Sequence, residues 1–503
     1  MKTINRREFV GYAGTALAVT VVPRHVLGGS GYVAPSDKIS LALIGSGTQQ
    51  LGELVRLIAD ERIQVVALAD PNKEPVHYRA WSPGAGLRRQ IRELIGDSTW
   101  YEGTSITAGR DAGQDFVNKY YARKSGQGNY RGCNAYADFR EMLEKEDSID
   151  AVKIIVPDHL YPTLAIAAMK KNRHVVMHKP IGNRVDELRK TLDMARSRPG
   201  LITHQLAWSS NERYALVKQW IDAGAIGTLR EVHNWSYRPV WQQWPAYFSE
   251  QPPVPKGLDW DLWLGPWPDR PYHPNYTHTV FRGWFDFGAG SVADMGIYSL
   301  WPLFTTFGID RPPFSVESYA TVTRTTDENN AQKLVPNAVS FPWSSVFRWK
   351  FEKIGTGSPL DLFWYDGGIK PHNPPEMEAD GFDLESEGMM FVGDSGKIMA
   401  GFRCENPRII PRSRMKSFTG EEKAPDVVQA DGTSTWIEAI RSGKQSPGNL
   451  LSAGVVNETA LLAMVALRAG RKIHYDPAKM QVTAPADASQ YLYRSEYRKG
   501  WEL

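Results

Sequence analysis

Short apolar runs alternate with amphipathic stretches in the first part of the chain, and this pattern predicts strands that alternate with helices. Residues 39–44 are an apolar run, residues 51–58 repeat apolar positions at helical spacing, and residues 65–69 are a second apolar run. Later segments predict strands at 149–156, 174–177 and 201–206 and helices at 136–143, 164–171 and 186–195. Such alternation predicts an α/β domain with a doubly wound parallel sheet.

Beyond residue 206, strict alternation of apolar and polar positions predicts strands with one buried face. Segments at 229–237, 314–323, 345–352, 389–392 and 397–400 predict a large, open, mostly antiparallel sheet, with helices at 211–223, 450–469 and 491–501. Two stretches lack a regular period. Residues 71–135 predict an insertion of short helices and loops, and residues 239–276, rich in Pro and Trp, predict a long ordered loop over the crevice. The second domain, predicted at 207–503, is therefore α+β.

The turn after the first strand carries candidate chemistry. Gly45 and Gly47 let the backbone approach a pyrophosphate, and the helix that follows presents free N–H groups to the anion. The second strand ends at Asp70, where a dinucleotide-binding fold places the carboxylate that binds the adenosine ribose. Gln50 stands where the usual fingerprint has its third glycine, so an ordinary strand-turn-helix is the alternative.

These residues predict a Rossmann domain over residues 35–206. The residues expected to contact the cofactor here are Gly45, Ser46, Gly47, Thr48, Gln49 and Asp70. Asp70 favours NAD, because a carboxylate repels the 2′-phosphate of NADP. NADP is the alternative cofactor, since a neighbouring Arg or Lys reverses that preference.

Composition narrows the function classes. A net charge of +3 over 503 residues indicates neither a nucleic-acid nor an acidic partner. The 17 tryptophans and 21 tyrosines indicate either large sheet surfaces or a site that stacks on sugar rings. Cys133 and Cys404 allow one disulfide but no disulfide framework. No motif indicates a metal site.

The N-terminal segment predicts export. Arg6 and Arg7 precede Phe9 and an uncharged run at 11–22, which resembles a twin-arginine signal, and the run is too short to span a membrane. Residues 1–34 are therefore expected to be a signal and linker, with a periplasmic or otherwise exported protein; an ordinary first helix is the alternative.

Strand-end motifs show a family resemblance. Five motifs follow one another along the chain: Gly-x-Gly, a strand-end Asp, Pro157-Asp-His159, His178-Lys179-Pro180 and Asp294-Met-Gly-Ile-Tyr298. The chain thus resembles the glucose-fructose oxidoreductase and inositol 2-dehydrogenase family, Gfo/Idh/MocA. The resemblance implies that Lys179, Asp294 and Tyr298 surround the reacting carbinol, and that Pro157, His159 and Lys179 border the cofactor. For His159, a purely structural role is the alternative.

Two positions depart from the family pattern. His178 replaces the glutamate of the family's Glu-Lys-Pro motif, which alters the charge beside Lys179. Many members carry His at the position of Tyr298. The tyrosine resembles the glucose-fructose oxidoreductase branch of the family, which is also exported.

The resemblance implies an exported NAD(P)-dependent oxidoreductase that acts on a sugar, polyol or glycoside. Two alternatives are a redox-neutral glycoside hydrolase or lyase that works through a transient keto-sugar, and a non-catalytic sugar-binding protein. Arg282, Trp284 and Asp286 are candidates for binding sugar hydroxyls, with ordering of their loop as the alternative. An aromatic open sheet face predicts a homo-oligomer.

Overall fold

The structure is a computed structural model that describes residues 37–74, 85–103, 106–126, 128–239, 241–335, 338–355, 357–430 and 432–503. The predicted signal and linker, residues 1–34, lies outside the described residues.

The first domain is built on a six-stranded parallel sheet, as predicted. Its strands are β1 (Ile39–Ile44), β2 (Ile63–Ala69), β3 (Asn134–Tyr136), β4 (Ala151–Ile154), β5 (His174–Met177) and β6 (Thr203–Gln205), in the order β3-β2-β1-β4-β5-β6. The chain reverses direction across the sheet between β1 and β4, and doubly wound sheets bind ligands at this point, outside the carboxyl ends of the strands.

Helices cover both faces of this sheet. They are α1 (Thr48–Leu57), α2 (Ala85–Ile95), α3 (Arg110–Ser125), α4 (Phe139–Lys145), α5 (Tyr161–Lys170) and α6 (Val185–Ser197). The expectation of short helices in the 71–135 insertion was wrong for α3, which has 16 residues, because its buried face includes the small residues Ala112 and Gly113 and therefore gives a weak apolar period. The predicted helix at 136–143 starts later, because Tyr136 pairs with Ala69 as part of β3.

The second domain contains a nine-stranded sheet in which only the β7–β12 pair is parallel. Its strands are β7 (Leu229–Trp235), β8 (Ser315–Ala320), β11 (Ser345–Phe351), β12 (Leu360–Tyr365), β13 (Gly388–Gly393), β14 (Lys397–Ala400), β15 (Arg408–Ile410), β16 (Ile473–Asp476) and β17 (Gln481–Ala484). A separate hairpin joins β9 (Thr323–Thr326) to β10 (Gln332–Val335). Sequence analysis missed the six-residue β12, although its buried and half-buried positions alternate, and it missed β15–β17, which have three or four residues each and draw their stability from neighbouring strands.

The second domain adds helices α7 (Glu212–Asp222), α8 (Trp260–Leu264), α9 (Ile297–Phe307), α10 (Pro375–Ala379), α11 (Arg412–Thr419), α12 (Gly432–Ser442) and α13 (Leu450–Ala469). Among the described residues, α13 alone is long and apolar enough to cross a membrane, but 83% of its most apolar stretch is buried in the protein. It is the central core helix and packs on α6 and β8.

The C-terminal part of the chain returns to the first domain. Trp436 and Ile437 of α12 join the core around β1, and Arg494 pairs with Glu187 of α6 at 2.6 Å. The helix predicted at 491–501 was wrong, because a 3₁₀ helix ends at Leu492 and the segment beyond it runs irregularly to this ion pair. Cys133 and Cys404 are buried free thiols, so the allowed disulfide does not form.

Candidate active site

A cavity of about 370 Å³ opens at the carboxyl edge of the parallel sheet, between the two domains. One end is bordered by the β1–α1 turn and the end of β2, and the other by residues of the second domain. Predicted residues that line the cavity are Gly45, Gly47, Thr48, Gln49, Asp70, Pro157, Lys179, Arg282, Asp294 and Tyr298.

The glycine turn fits a pyrophosphate. Gly45 has φ +92°, and a Cβ there would lie 2.1 Å from the carbonyl oxygen of Ile155, so only glycine is tolerated. Gly47 caps α1 with no side-chain hydrogen bond to the first turn. Gly47, Thr48 and Gln49 line the cavity, so the N-terminus of α1, the usual place for a bound phosphate, borders this end of it.

Asp70 borders the same end of the cavity. One carboxylate oxygen accepts the Ser46 N–H at 2.5 Å and the other accepts the Asn72 N–H at 2.7 Å. Burial raises the pKa of Asp70 to about 6, although these two N–H groups oppose the shift. Each oxygen keeps a lone pair, so the carboxylate fits a ribose hydroxyl.

Two predicted cofactor contacts do not reach the cavity. The Ser46 hydroxyl donates to the carbonyl of Gly109 at 2.9 Å, and its N–H is taken by Asp70. His159 is fully buried, its Nε2 donates to the carbonyl of Trp263 at 3.1 Å, and its ring packs between Trp263 and Phe287. Burial lowers the pKa of His159 to about 3. Both residues hold the walls of the cavity together instead of lining it.

The departure at Gln50 has a structural reason. Gln50 faces the sheet, where its amide oxygen accepts a hydrogen bond from the ammonium of Lys153 on β4 at 3.1 Å. Lys153 also pairs with Glu53 of α1 at 2.6 Å. Burial opposes the shift, but Lys153 lowers the pKa of Glu53 to about 2. A polar network thus replaces the close helix–sheet contact that a third glycine would allow.

Lys179 and Asp294 meet in the cavity as a buried ion pair. Lys179 follows β5, and Asp294 lies in a π-helical turn, Val292–Gly296, that leads into α9. Arg282, from a 3₁₀ helix at His278–Gly283, donates from Nε to Asp294 at 2.9 Å and lies 3.5 Å from Asp158. Burial opposes the shift, but the Lys179 and Arg282 cations hold the pKa of Asp294 well below its usual range.

Tyr298 lies one turn beyond Asp294, and the Lys179 ammonium lies 5.1 Å from the centre of its ring. The Tyr298 hydroxyl and Nε2 of His178 are hydrogen-bonded at 2.9 Å, and Glu53 Oε1 lies 3.8 Å from the same nitrogen. Burial lowers the pKa of His178 to about 3, so its imidazole is neutral at pH 7. His178, which replaces the glutamate of the family motif, therefore gives the Tyr298 phenol a neutral hydrogen-bond partner.

The other two predicted sugar contacts lie outside the cavity lining. Trp284 is 0% exposed, stacks on Trp244 with ring centres 4.7 Å apart, and donates from its indole N–H to the carbonyl of Asn275. Asp286 accepts from Arg270 at 2.6 Å and from the Tyr247 hydroxyl at 2.7 Å. Both residues order the loop, which is the alternative stated for them above; Arg282 alone of the three borders the cavity.

Sequence reasoning missed several cavity residues. Arg238 and Arg403 line the wall near Asp294 and Tyr298, and His178 and Glu53 stand behind the phenol. His178 was visible as a departure from the family motif, whereas Arg238 and Arg403 lie in loops without any motif. Among the described residues, no group of three His, Cys, Asp or Glu side chains is placed to hold a metal ion.

Two family models match the chain. The "Oxidoreductase family, NAD-binding Rossmann fold" model matches residues 115–205, and the "Oxidoreductase family, C-terminal alpha/beta domain" model matches residues 217–334. Residues 115–205 and 217–334 are thus similar to the two domains of the Gfo/Idh/MocA oxidoreductase family, and the first of these matches is to an NAD-binding Rossmann fold.

Named relatives are similar over shorter stretches. A dTDP-3,4-didehydro-2,6-dideoxy-alpha-D-glucose 3-reductase of Streptomyces violaceoruber is 32% identical over 99 residues, 20% of this chain and 29% of that protein. A levoglucosan dehydrogenase of Pseudarthrobacter phenanthrenivorans is 29% identical over 113 residues, 21% of this chain and 28% of that protein. The match thus spans less than a third of either relative.

Among solved structures, the WlbA dehydrogenase of Chromobacterium violaceum, in complex with NADH and UDP-GlcNAcA, has a TM-score of 0.50 to this chain. It is 15% identical, with 88% of this chain and 96% of that chain covered. This likeness shows the fold.

Proposed function

We propose that this protein is an NAD-dependent oxidoreductase that acts on a hydroxyl-bearing carbon of a sugar, polyol or glycoside. The observation that carries the proposal is the convergence of Lys179, Asp294 and Tyr298 on the wall of a cavity that begins at the Gly45 turn. The two relatives named above, a sugar-nucleotide reductase and a levoglucosan dehydrogenase, support a carbohydrate substrate.

The bound nucleotide would supply the hydride acceptor, and the chain supplies charge and proton transfer. Lys179, held against Asp294, would place its ammonium beside the substrate oxygen. Tyr298 would take the hydroxyl proton as its own proton passes to Nε2 of His178, in the tautomer that carries hydrogen on Nδ1. His178 would hold this proton only transiently, because its pKa of about 3 favours the neutral ring at pH 7, and the Glu53 carboxylate 3.8 Å away would attract the proton during that step. Lys179 thus acts as a fixed cation in this scheme, and the proton leaves through Tyr298.

A second candidate is the redox-neutral hydrolase or lyase, in which hydride returns to the same sugar after elimination. The long loop supports it, because Lys73 N–H donates to the carbonyl of Gly257 at 2.7 Å and Asp259 N–H donates to the carbonyl of Pro71 at 3.0 Å. These bonds close the loop over the nucleotide end of the cavity. Enclosure of this kind slows nucleotide exchange and favours a cycle that reuses one bound cofactor.

The test has two stages. Mass spectrometry of the nucleotide released on denaturing the native protein should find NAD; NADP would reassign the cofactor, and protein without nucleotide would favour the sugar-binding alternative. Candidate glycosides are then supplied to the nucleotide-loaded protein while the absorbance of reduced nicotinamide is followed. Accumulating reduced cofactor supports the dehydrogenase, and a transient signal with release of the aglycone supports the redox-neutral enzyme.

We also propose export by the twin-arginine route, on the strength of Arg6 and Arg7 ahead of the uncharged run. This route carries folded proteins, which suits an enzyme that takes up its nucleotide in the cytoplasm. Replacement of both arginines by Lys should leave the precursor in the cytoplasm, and unchanged export would refute the proposal.

A homo-oligomer is proposed through the open face of the nine-stranded sheet. Tyr319, Val346 and Tyr365 are neighbours across β8, β11 and β12 on the face turned away from α13, and Tyr319 is 64% exposed. An exposed row of this kind is typical of an interface. Sedimentation should show a dimer or larger assembly that Tyr319→Glu weakens, and a monomeric wild-type protein would refute this.

A further inference from the structure

Charged and titratable groups reach the Tyr298 side chain from five separate segments of the chain. They are Glu53 of α1, His178 and Lys179 after β5, Arg282 of the 3₁₀ helix, Asp294 of the π-helical turn, and Arg403 of the loop after β14. Lys179 and Arg282 both pair with Asp294. Within the part of the chain that the structure describes, no carboxylate forms an ion pair with Arg403. Arg403 thus differs from the other two cations near the phenol.

Arg403 places its guanidinium against the Tyr298 ring. The guanidinium carbon lies 4.2 Å from the ring centre, closer than the Lys179 ammonium at 5.1 Å. A cation at this distance is attracted to the neutral phenol through the quadrupole of the ring, and more strongly to the phenolate, which carries a full negative charge. The contact therefore favours the phenolate over the phenol.

A buried asparagine fixes the two chain segments that make this contact. Asn234 of β7 is 0% exposed, its amide donates to the carbonyl of Phe402 at 3.2 Å, and its amide oxygen accepts the Ser299 hydroxyl at 2.5 Å. Phe402 directly precedes Arg403, and Ser299 directly follows Tyr298. The hydrogen bonds of one side chain thus hold the backbone beside the cation and the backbone beside the phenol together.

The other surroundings of Tyr298 disfavour its phenolate. Burial and then the Asp294 carboxylate raise the pKa of Tyr298 above its usual range, and Arg403 is the strongest influence in the opposite direction. The base that would take the phenol's proton is weak, since burial lowers the pKa of His178 to about 3. A cation that favours the phenolate therefore acts on an unfavourable stage of the proposed proton transfer.

We propose that Arg403 is a positioning residue that holds its positive charge against the Tyr298 ring and so stabilises the phenolate through which the substrate loses its proton. This inference rests on the proposed oxidoreductase function and adds a residue to its proton transfer. The O–H bond of Tyr298 breaks as its proton passes to Nε2 of His178, and the phenolate then takes the proton of the substrate hydroxyl. The electron pair left on that oxygen forms the C=O bond as hydride leaves the carbon for the nucleotide. Arg403 acts through Tyr298 in this sequence and has no proton to give or take.

The first measurement needs no turnover. In the full-length protein, with and without NAD, Tyr298 is replaced by a ring-fluorinated tyrosine, whose phenol ionises at lower pH than that of tyrosine. Its phenolate absorbance is followed against pH as the difference from protein with an unchanged Tyr298. Arg403→Gln should raise the midpoint by about one pH unit or more, the usual effect of removing an opposite charge at about 4–6 Å. Arg403→Lys should raise it less, because the charge remains.

Arg412→Gln is the matched control, because Arg412 lies over the Phe382 ring at 4.3 Å, and neither residue lines the cavity. It removes an equivalent contact between an arginine and an aromatic ring and should leave the midpoint unchanged. Arg403→Met supplies a second neutral variant if Arg403→Gln does not fold, as judged by circular dichroism. An unchanged midpoint in a folded neutral variant overturns the proposal.

The second measurement follows turnover against pH. The limb of the profile on which kcat rises with pH should move to higher pH in Arg403→Gln, and the KM for the sugar should change less than kcat. A higher KM with an unmoved pH profile also overturns the proposal, since Arg403 then serves substrate binding.

These failures are distinct from failure of the proposed function. Protein that oxidises sugars, but whose phenol titrates at the same midpoint without the Arg403 charge, refutes the role of Arg403 alone. Protein whose midpoint shifts as expected, yet whose cofactor is never reduced, refutes the oxidoreductase and leaves the coupling of Arg403 to Tyr298 in place.

Discussion

Arg282 and Asp286 lie four residues apart in one segment, and both are paired charges in buried surroundings, yet they belong to different kinds of site. Arg282 reaches the cavity and pairs with Asp294 opposite Lys179. Asp286 turns into an aromatic cluster, where Arg270 neutralises it and the Tyr247 ring covers the guanidinium at 4.2 Å. A buried ion pair is therefore no mark of function by itself. The groups with candidate chemistry also border a cavity that continues to the glycine turn.

The aromatic cluster supports the cavity wall from behind. Trp284 packs on Trp244 and Tyr247, and the neighbouring Gly283 leaves no room for a Cβ, which would lie 2.7 Å from Trp241. Because Gly283 ends the 3₁₀ helix that carries Arg282, packing in the cluster fixes the position of the arginine. Substitutions in the two regions should consequently affect different measurements.

On the cavity side, Lys179→Met should give the largest effect. Methionine keeps most of the stem's volume and removes the ammonium that would hold the substrate oxygen. Turnover should fall by roughly 10²–10⁴-fold while NAD retention survives. Lys190→Met is the control, because Lys190 lies on α6 in a half-exposed pair with Asp186.

Tyr298→Phe sharpens the result for Lys179. A loss comparable to that of Lys179→Met is expected if the proton leaves through the phenol, and a much milder loss would show that the proton leaves by another route. Wild-type turnover in Lys179→Met would remove that lysine from the chemistry.

On the cluster side, Trp284→Ala should lower the free energy of unfolding by about 3–5 kcal/mol, the usual cost of deleting a buried aromatic side chain. Urea denaturation measures this, and sugar affinity at low temperature should change little. Trp343→Ala is the control, since Trp343 is 52% exposed. If Trp284→Ala keeps its stability and loses sugar affinity, Trp284 belongs to the site and the division between the two regions fails.

Asp366 offers a contrast to Asp294, because it lies behind the same π-helical turn without a cation among its hydrogen-bond donors. Ser291, Ser345 and Trp364 donate to it, and burial raises its pKa to about 6. The folded state therefore holds this proton more tightly than the unfolded state, and stability is lost as pH rises from about 4 through 6.

The Asp366→Asn variant has no carboxyl to titrate at this position, so its free energy of unfolding lacks this dependence on pH. The wild type should accordingly have its greatest advantage over the variant near pH 4, and the advantage should shrink by about 2–3 kcal/mol by pH 7. Chemical denaturation of both proteins at several pH values measures the difference. A difference independent of pH would show that Asp366 has an ordinary pKa.

At the nucleotide end, Asp70→Ala should weaken NAD binding by about 1–3 kcal/mol, because a ribose hydroxyl loses its charged acceptor. Calorimetric titration gives the dissociation constant. Glu61→Ala, at the opposite end of β2, should leave it unchanged. Normal NAD affinity in Asp70→Ala would show that this carboxylate serves only to hold Ser46 and Asn72.

Local sequence determined the elements that build the cavity. The runs of β1 and β2 are apolar but for one polar residue each, Gly45 is required by a left-handed turn, and Lys179 follows a buried strand. Parallel strands bring their carboxyl ends to one edge, so the meeting of the Gly45 turn with Lys179 follows from the order of elements alone. Both sheets were also predicted, because apolar runs that alternate with helices indicate a parallel sheet and strict alternation of apolar and polar positions indicates an antiparallel one.

Tertiary structure decided which side chains face the cavity. Trp284, Asp286 and His159 occur beside motif residues, and only the packing of the aromatic cluster turns them away from it. Arg403 reaches Tyr298 from a loop more than a hundred residues further along the chain, and Glu53 reaches His178 across the sheet; neither contact has a local signature. The spacing of apolar residues indicates which face of a single helix or strand is buried. A site between two domains depends on how several elements pack together, and the spacing of apolar residues does not specify that packing.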